Sequence, residues 1–315
     1  MPLTHAPPIT LHLGAHRTGT TSLQSLLEAH AVPLQQAGVA VWTPDVTRSG
    51  MMTGLLGDPG RRPRARDTVA NRAAAKVSMR RGLMAQGGVS RLVISDQAVL
   101  GGLRENLLLG RLYPSAGARL SRFAQAVPGI DQICLAIRSP DAWWASAVSQ
   151  LIMRGFAPLD TGTRLAILRS RRGWRNVIED LAKAAPHARI VVWTHEELAA
   201  RPADAFALLT GEDAERAAGP ATNVAPGLAA LRARLADEDC AVELPGVGDT
   251  YAPFTPDERA ALRAAHARDL TWLREGADGL ATFATRRPAD AAARDRKGTG
   301  YVRHRHTQSA LDTAG

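Results

Sequence analysis

Apolar positions along this chain recur with two periods, and the order in which they switch predicts the fold. Ile9 to Gly14, "ITLHLG", alternates and ends in glycine, the mark of a strand running into a turn. In "TSLQSLLEAH", Leu23, Leu26 and Leu27 fall on one helical face, so the segment predicts strand, tight loop and helix. A short apolar run, "GVAVW", follows at Gly38 to Trp42. Residues 43–66 are rich in Pro, Gly and Arg and predict a long surface loop. Helical spacing resumes from Asp67 to Ala85. "RLVIS" (Arg91 to Ser95) is a short buried strand, Ser115 to Val127 a helix, and "QICLAI" (Gln132 to Ile137) a continuous apolar strand. The next helix has a clear start: Ser139 can cap, Pro140 suits the first helical position, and Asp141 complements the dipole. "RIVVW" (Arg189 to Trp193) is another buried strand, "THEELAA" opens a helix after it, and helical spacing fills 225–238 and 255–275.

Strands alternating with helices imply an α/β fold of three layers, a mostly parallel sheet covered on both faces. The chain has 315 residues and 45% hydrophobic positions, enough for one large domain with a substantial core. No internal repeat is visible. After Arg286 the sequence turns Ala-, Arg- and Gly-rich and poor in large apolar residues, which predicts a domain over 1–285 and a basic, disordered tail over 286–315. No apolar run reaches 18 residues, so no transmembrane segment is expected. The N-terminus does not read as a signal peptide, and two cysteines, Cys134 and Cys240, do not make a disulfide framework. Together these predict a soluble protein of a reducing cytoplasm; oligomeric state is not legible.

Charge changes the picture only in part. The formal net charge is +9, which suits anionic partners. Seven Arg or Lys and only two Asp lie between Arg286 and His306, so much of the excess sits in the tail; another cluster, "RRPRAR", spans Arg61 to Arg66. Tyr301 is the one aromatic among Phe, Trp and Tyr in these clusters and neither forms a known binding module, so no nucleic-acid partner is expected.

The chemistry concentrates in "LHLGAHRTGTTSLQSLL". Gly14 and Gly19 are five apart, as in a phosphate-binding loop, and the helix behind them offers its positive end to phosphate oxygens. The lysine that an NTP-hydrolysing loop places after the second glycine is missing; Thr20, Thr21 and Ser22 stand there, and the cation is Arg17, inside the loop. No metal is expected. A second motif, "AIRSPDAWWASAV", puts Arg138 at a strand end and Ser146 eight residues later in a helix. A guanidinium there can grip phosphate in a two-pronged fork.

"GAHRTGTTSLQ" resembles the 5′-phosphosulfate-binding loop of sulfotransferases that use 3′-phosphoadenosine 5′-phosphosulfate (PAPS), and Arg138 with Ser146 resembles that family's site for the nucleotide's 3′-phosphate. The resemblance implies a P-loop NTPase-like sulfotransferase fold and transfer of a sulfonate from PAPS to a hydroxyl or amine of a small-molecule or glycan acceptor. It gives Arg17 the sulfonate and bridging oxygen, and Thr18, Gly19, Thr20, Thr21 and Ser22 the 5′-phosphate. Weaker echoes are "VVWTHEEL", where His195 replaces the tyrosine near adenine, and "RKGTG" from Arg296.

A general base is expected beside the acceptor. Asp96, at a strand end in "LVISDQAVLGG", is the first candidate and His16 the second. Loops 43–66 and 155–173 are expected to shape the acceptor pocket. Trp144, Val148 and Ile152 read as a core stripe. A P-loop small-molecule kinase is the alternative, and a non-enzymatic polyanion-binding protein a third.

Overall fold

The computed structural model describes residues 6–57, 63–198, 201–213, 225–237 and 243–284, with backbone alone over 63–67. The strands among them are β1 Ile9–His12, β2 Val39–Trp42, β3 Arg91–Ser95, β4 Ile130–Ile137, β5 Arg189–Thr194, β6 Gly246–Val247, β7 Thr250–Tyr251 and β8 Thr282–Phe283. The α-helices are α1 Thr20–Ala29, α2 Ala31–Gln36, α3 Pro44–Val46, α4 Pro63–Gln86, α5 Leu103–Leu109, α6 Ala116–Ala126, α7 Pro140–Ile152, α8 Thr161–Arg169, α9 Trp174–Ala184, α10 His195–Leu198, α11 Pro202–Thr210, α12 Leu228–Ala236 and α13 Pro256–Arg274.

Six strands form one sheet in the order β2-β3-β1-β4-β5-β8, and every pairing in it is parallel. β6 and β7 make a separate antiparallel hairpin. Successive side chains of a strand point to opposite faces, and here each face has its own core. Leu92, Ile94, Ile133, Leu135, Ile190 and Val192 pack with residues of α4, α6, α7, α9 and α13. Val93, Cys134, Ala136, Val191 and Trp193 pack on the other side with α1, α2 and α11. The result is the expected three-layer α/β architecture, and its double burial explains why the strands lack polar alternation. Among the described residues no helix is long and apolar enough to cross a membrane.

Residues 43–66 differ from the expected surface loop. Pro44–Val46 is a helical turn, Thr47–Met51 a π-helical one, and Thr47, Met52 and Leu55 are buried. The apolar side chains of Met52 and Leu55 join the main core, and this anchors a stretch whose Pro, Gly and Arg content suggests looseness. The stretch ends inside α4, which starts at Pro63. Ser139 precedes α7 without capping it through its side chain; its hydroxyl donates instead to Asp141 Oδ1 at 2.5 Å. Trp143, Trp144 and Trp174 are all core residues, no more than 2% exposed. The chain divides into Met1–Thr285 and Arg286–Gly315. The tail, the "RKGTG" segment, Cys240 and the side chains of Arg61 to Arg66 lie outside the described residues.

Candidate functional site

The sheet order sets up the site. From β1 the chain moves to one side for β2 and β3, then crosses to the other for β4, β5 and β8. In a parallel sheet the crevice beyond the strand C-termini at such a reversal is where ligands bind. The segment leaving β1 there, Leu13 to Gly19, is tightly wound. Gly14 (φ +59°) and Gly19 (φ +83°) are left-handed, and a Cβ on Gly14 would collide with the Thr20 hydroxyl. Arg17 is left-handed too, with φ 66°, a strained conformation for a residue with a side chain. Thr18 Oγ1 donates to the Ala15 carbonyl at 2.7 Å and Thr20 Oγ1 to the same oxygen at 3.1 Å, so these two hydroxyl protons close the loop on itself. α1 begins without a side-chain cap and presents the positive end of its dipole.

Arg17, Thr18, Gly19, Thr20, Thr21 and Ser22 line a cavity of about 870 Å³, and Arg138 and Ser146 line the same one. The two sequence motifs, some 120 residues apart, meet directly. Arg17 Nε donates to Ser146 Oγ and its Nη1 to Gln150 Oε1, both at 2.9 Å. Arg138 Nη1 donates to the Arg17 carbonyl at 3.1 Å. Two buried indoles hold the frame from behind: Trp143 Nε1 donates to the His16 carbonyl and Trp174 Nε1 to that of Arg138, each at 2.7 Å. Arg17 and Arg138 both sit below the usual guanidinium pKa, chiefly through burial; Arg138 and Arg154 push Arg17 further down. A neighbouring wall is formed by Trp193, His195, Leu198, Pro202 and Ala205. Burial and the Arg138 charge hold His195 below its ordinary pKa.

The base candidates come out differently. Asp96 is fully buried and does not line the cavity. It ends β3 and accepts from Ala98 N at 2.9 Å, from Thr47 Oγ1 at 2.5 Å, and from Arg48 through Nη2 at 2.6 Å and Nε at 3.1 Å. Four donors fill its oxygens, so in this arrangement it anchors the 44–52 turns instead of taking a proton from an acceptor.

His16 does line the cavity. Its backbone N–H reaches the Tyr113 hydroxyl at 2.8 Å, and its Nδ1 lies 2.9 Å from the same oxygen. Tyr113 is fully buried, and burial holds its phenol protonated, above the ordinary value. That proton needs an acceptor, and His16 Nδ1 is the one within reach, which leaves the hydrogen on Nε2. Burial, helped by Arg48, Arg154 and Arg17 and opposed by Asp96, lowers His16 to about 4. His16 is therefore a neutral donor at Nε2, not a resting base. Tyr113 is itself left-handed (φ 42°), so backbone strain is stored where the phenol meets the loop.

His12, which sequence reasoning did not assign to the site, follows the same logic. Register places it beside Ser95. Gln24 Nε2 donates to Ser95 Oγ at 3.2 Å, and Ser95 Oγ lies 2.8 Å from His12 Nδ1. Its ring stacks on Trp193, with centroids 5.8 Å apart, and burial lowers its pKa to about 3.

Among the described residues the cavity wall contains four arginines (Arg17, Arg48, Arg138 and Arg154), three histidines and no Asp or Glu. Arg48 and Arg154 were not singled out from the sequence. Loop 155–173 is absent from this wall; it carries α8, and Ile167 to Gly173 line a separate cleft of about 620 Å³. The described wall is rich in hydrogen-bond donors and in positive charge. No protein-family model matches the chain and no curated protein matches it, so residues and geometry carry the functional conclusion.

Proposed function

We propose that the protein transfers a sulfonate group from PAPS to an acceptor oxygen or nitrogen. The observation that carries this is the direct meeting of Arg17, Arg138 and Ser146 across one cavity, with an uncapped helix start between them. The residues fit such a nucleotide. Arg138 uses Nη1 on the loop carbonyl, and its Nε–Nη2 edge is the fork a terminal phosphate takes. The α1 first turn with Thr20, Thr21 and Ser22 suits the 5′-phosphate. The wall of Trp193, Leu198, Pro202 and Ala205 is apolar enough for a base.

When bound, PAPS supplies an activated sulfonate whose S–O bond to the 5′-phosphate breaks as the acceptor atom bonds to sulfur. Arg17 and the loop N–H groups stabilise the negative charge that develops on the departing oxygen. Arg138 and Ser146 fix the far end of the nucleotide, which holds the reacting atoms in register. His16, neutral and donating from Nε2, adds a further donor on the cavity wall.

A kinase reading lacks the lysine after Gly19, and a polyanion-binding reading does not explain a cavity of about 870 Å³ lined by both motifs. Calorimetric titration with 3′-phosphoadenosine 5′-phosphate, ATP and duplex DNA separates the three. Tight binding of the bisphosphate over both others is expected; a preference for ATP, or salt-steep DNA binding alone, overturns the proposal. With radiolabelled donor and an acceptor screen, Arg17→Ala is expected to abolish transfer while the thermal midpoint holds.

A further inference from the structure

The cavity has more cationic groups than the donor nucleotide uses, and the sheet order separates the surplus. Arg138 and His195 follow β4 and β5, on one side of β1; Arg48 follows β2 and Gln97 and Leu103 follow β3, on the other. Ser146 and Gln150 share one face of α7, where Arg17 bonds both, and Arg154 lines the same cavity from the turn two residues past the helix end at Ile152.

We propose, resting on the sulfotransferase reading above, that the acceptor carries its own negatively charged group, held by Arg154 with help from Arg48 on the β2–β3 side of the cavity. Arg154 is exposed and has no acidic partner among the described residues, whereas the Arg48 charge is shared with Asp96 at 2.6 Å. The wall offers no carboxylate to balance Arg154. A neutral acceptor would cover this guanidinium, strip its water and return nothing, which costs binding free energy. An anionic acceptor supplies the missing countercharge and aligns itself through the same contact. The Arg154 charge also reaches the reacting end of the site, since it contributes to the lowered pKa of both Arg17 and His16. Leu56 and Leu103 add apolar surface to the same part of the wall.

The test uses the full chain saturated with 3′-phosphoadenosine 5′-phosphate, so that Arg17 and Arg138 are occupied. D-glucuronate and glucose 6-phosphate are titrated against glucose by ligand-observed NMR, the two anions distinguishing a carboxylate from a phosphate preference. At least one anion is expected to bind tenfold or more tightly than glucose. Arg154→Gln is expected to erase that preference and Arg154→Glu to reverse it, with bisphosphate affinity changed less than threefold. Arg48→Gln is the second variant, with folding checked by melting because it uncovers Asp96. Equal binding of anions and glucose, no binding of any of the three, or a preference that survives Arg154→Gln overturns the proposal. A chain that fails to bind the bisphosphate overturns the donor assignment instead; the same variants then read the anion preference on the free protein.

Discussion

Replacing Arg138 by Gln separates two jobs of one side chain. In the structure Arg138 Nη1 holds the Arg17 carbonyl at 3.1 Å, and Arg138 lines the cavity that the loop lines. The loop bond is one hydrogen bond at a partly buried site, and losing it costs about 1 kcal/mol, or roughly fivefold in affinity for any nucleotide that needs the loop in place. The phosphate contact is two charge-assisted bonds, of which a solvent-open cavity leaves about 3 kcal/mol, or roughly 150-fold. These losses fall on different ligands. 5′-AMP, which has no 3′-phosphate, registers only the first; 3′-phosphoadenosine 5′-phosphate registers both. Isothermal titration at fixed ionic strength should therefore show Arg138→Gln weakening 5′-AMP about fivefold and the bisphosphate by roughly 500- to 1,000-fold. Wild-type protein should prefer the bisphosphate by about two orders of magnitude, and the variant should nearly lose that preference. Equal weakening of both ligands would refute the phosphate role and leave Arg138 as a loop brace only.

Two further outcomes follow from the same geometry. Asp96→Asn replaces a buried acceptor of four donors with a group that must donate from one side, so a loss of about 2 kcal/mol in stability is expected, read by urea unfolding. The shape of the pH–rate profile should not change; loss of its acid-side limb would restore Asp96 as the base. His12 and His16 have folded pKa values of about 3 and about 4 against 6.5 in the unfolded chain, so between pH 6.5 and 4 the unfolded chain binds protons that the folded one does not. Stability then falls as pH drops through that window, by up to about 1.4 kcal/mol per pH unit per histidine, and neither contributes above pH 6.5. A stability constant from pH 7 to 5 would contradict the buried neutral state, and His12→Gln should reduce the slope.

Much of the fold was legible because its signals are local. "RLVIS" marked β3 from Arg91 to Ser95, and "QICLAI" fell inside β4, which extends it only by Ile130 and Asp131. Each is an unbroken apolar run, and each alternates between two cores, so burial on both faces erased the polar period that marks a half-exposed strand. Helices α5, α8, α9 and α11 were not foreseen. α8 buries Ile167 and packs the partly buried Leu168 against the core, and its period is too weak to see along the chain. β8 has two residues and exists only because β5 lends it an edge. The 43–66 stretch failed for the opposite reason. Its composition describes a loop, but Met52 and Leu55 reach a core built mainly by residues far along the chain.

The site divides along the same line. The geometry of the loop can be read from spacing, because a glycine that must be left-handed, a helix that must start and a strand that must end are properties of neighbours. Gly14, Gly19, Arg138 and Ser146 all belong to that class. The destination of a proton does not. Asp96 looks like a free strand-end carboxylate until Arg48, 48 residues away, closes on it; His16 looks like a base until Tyr113, 97 residues away, donates to its Nδ1. Arg154 shows the reverse case: one more arginine after a helix in the sequence, it gains meaning only because no acid of the cavity wall answers it. Pairing across long separations thus occupies the Asp96 oxygens and His16 Nδ1 and leaves Arg154 without an acid on the described wall. The same pairing leaves no Asp or Glu on the described cavity wall, so the acceptor's proton must pass to a histidine of that wall or to water.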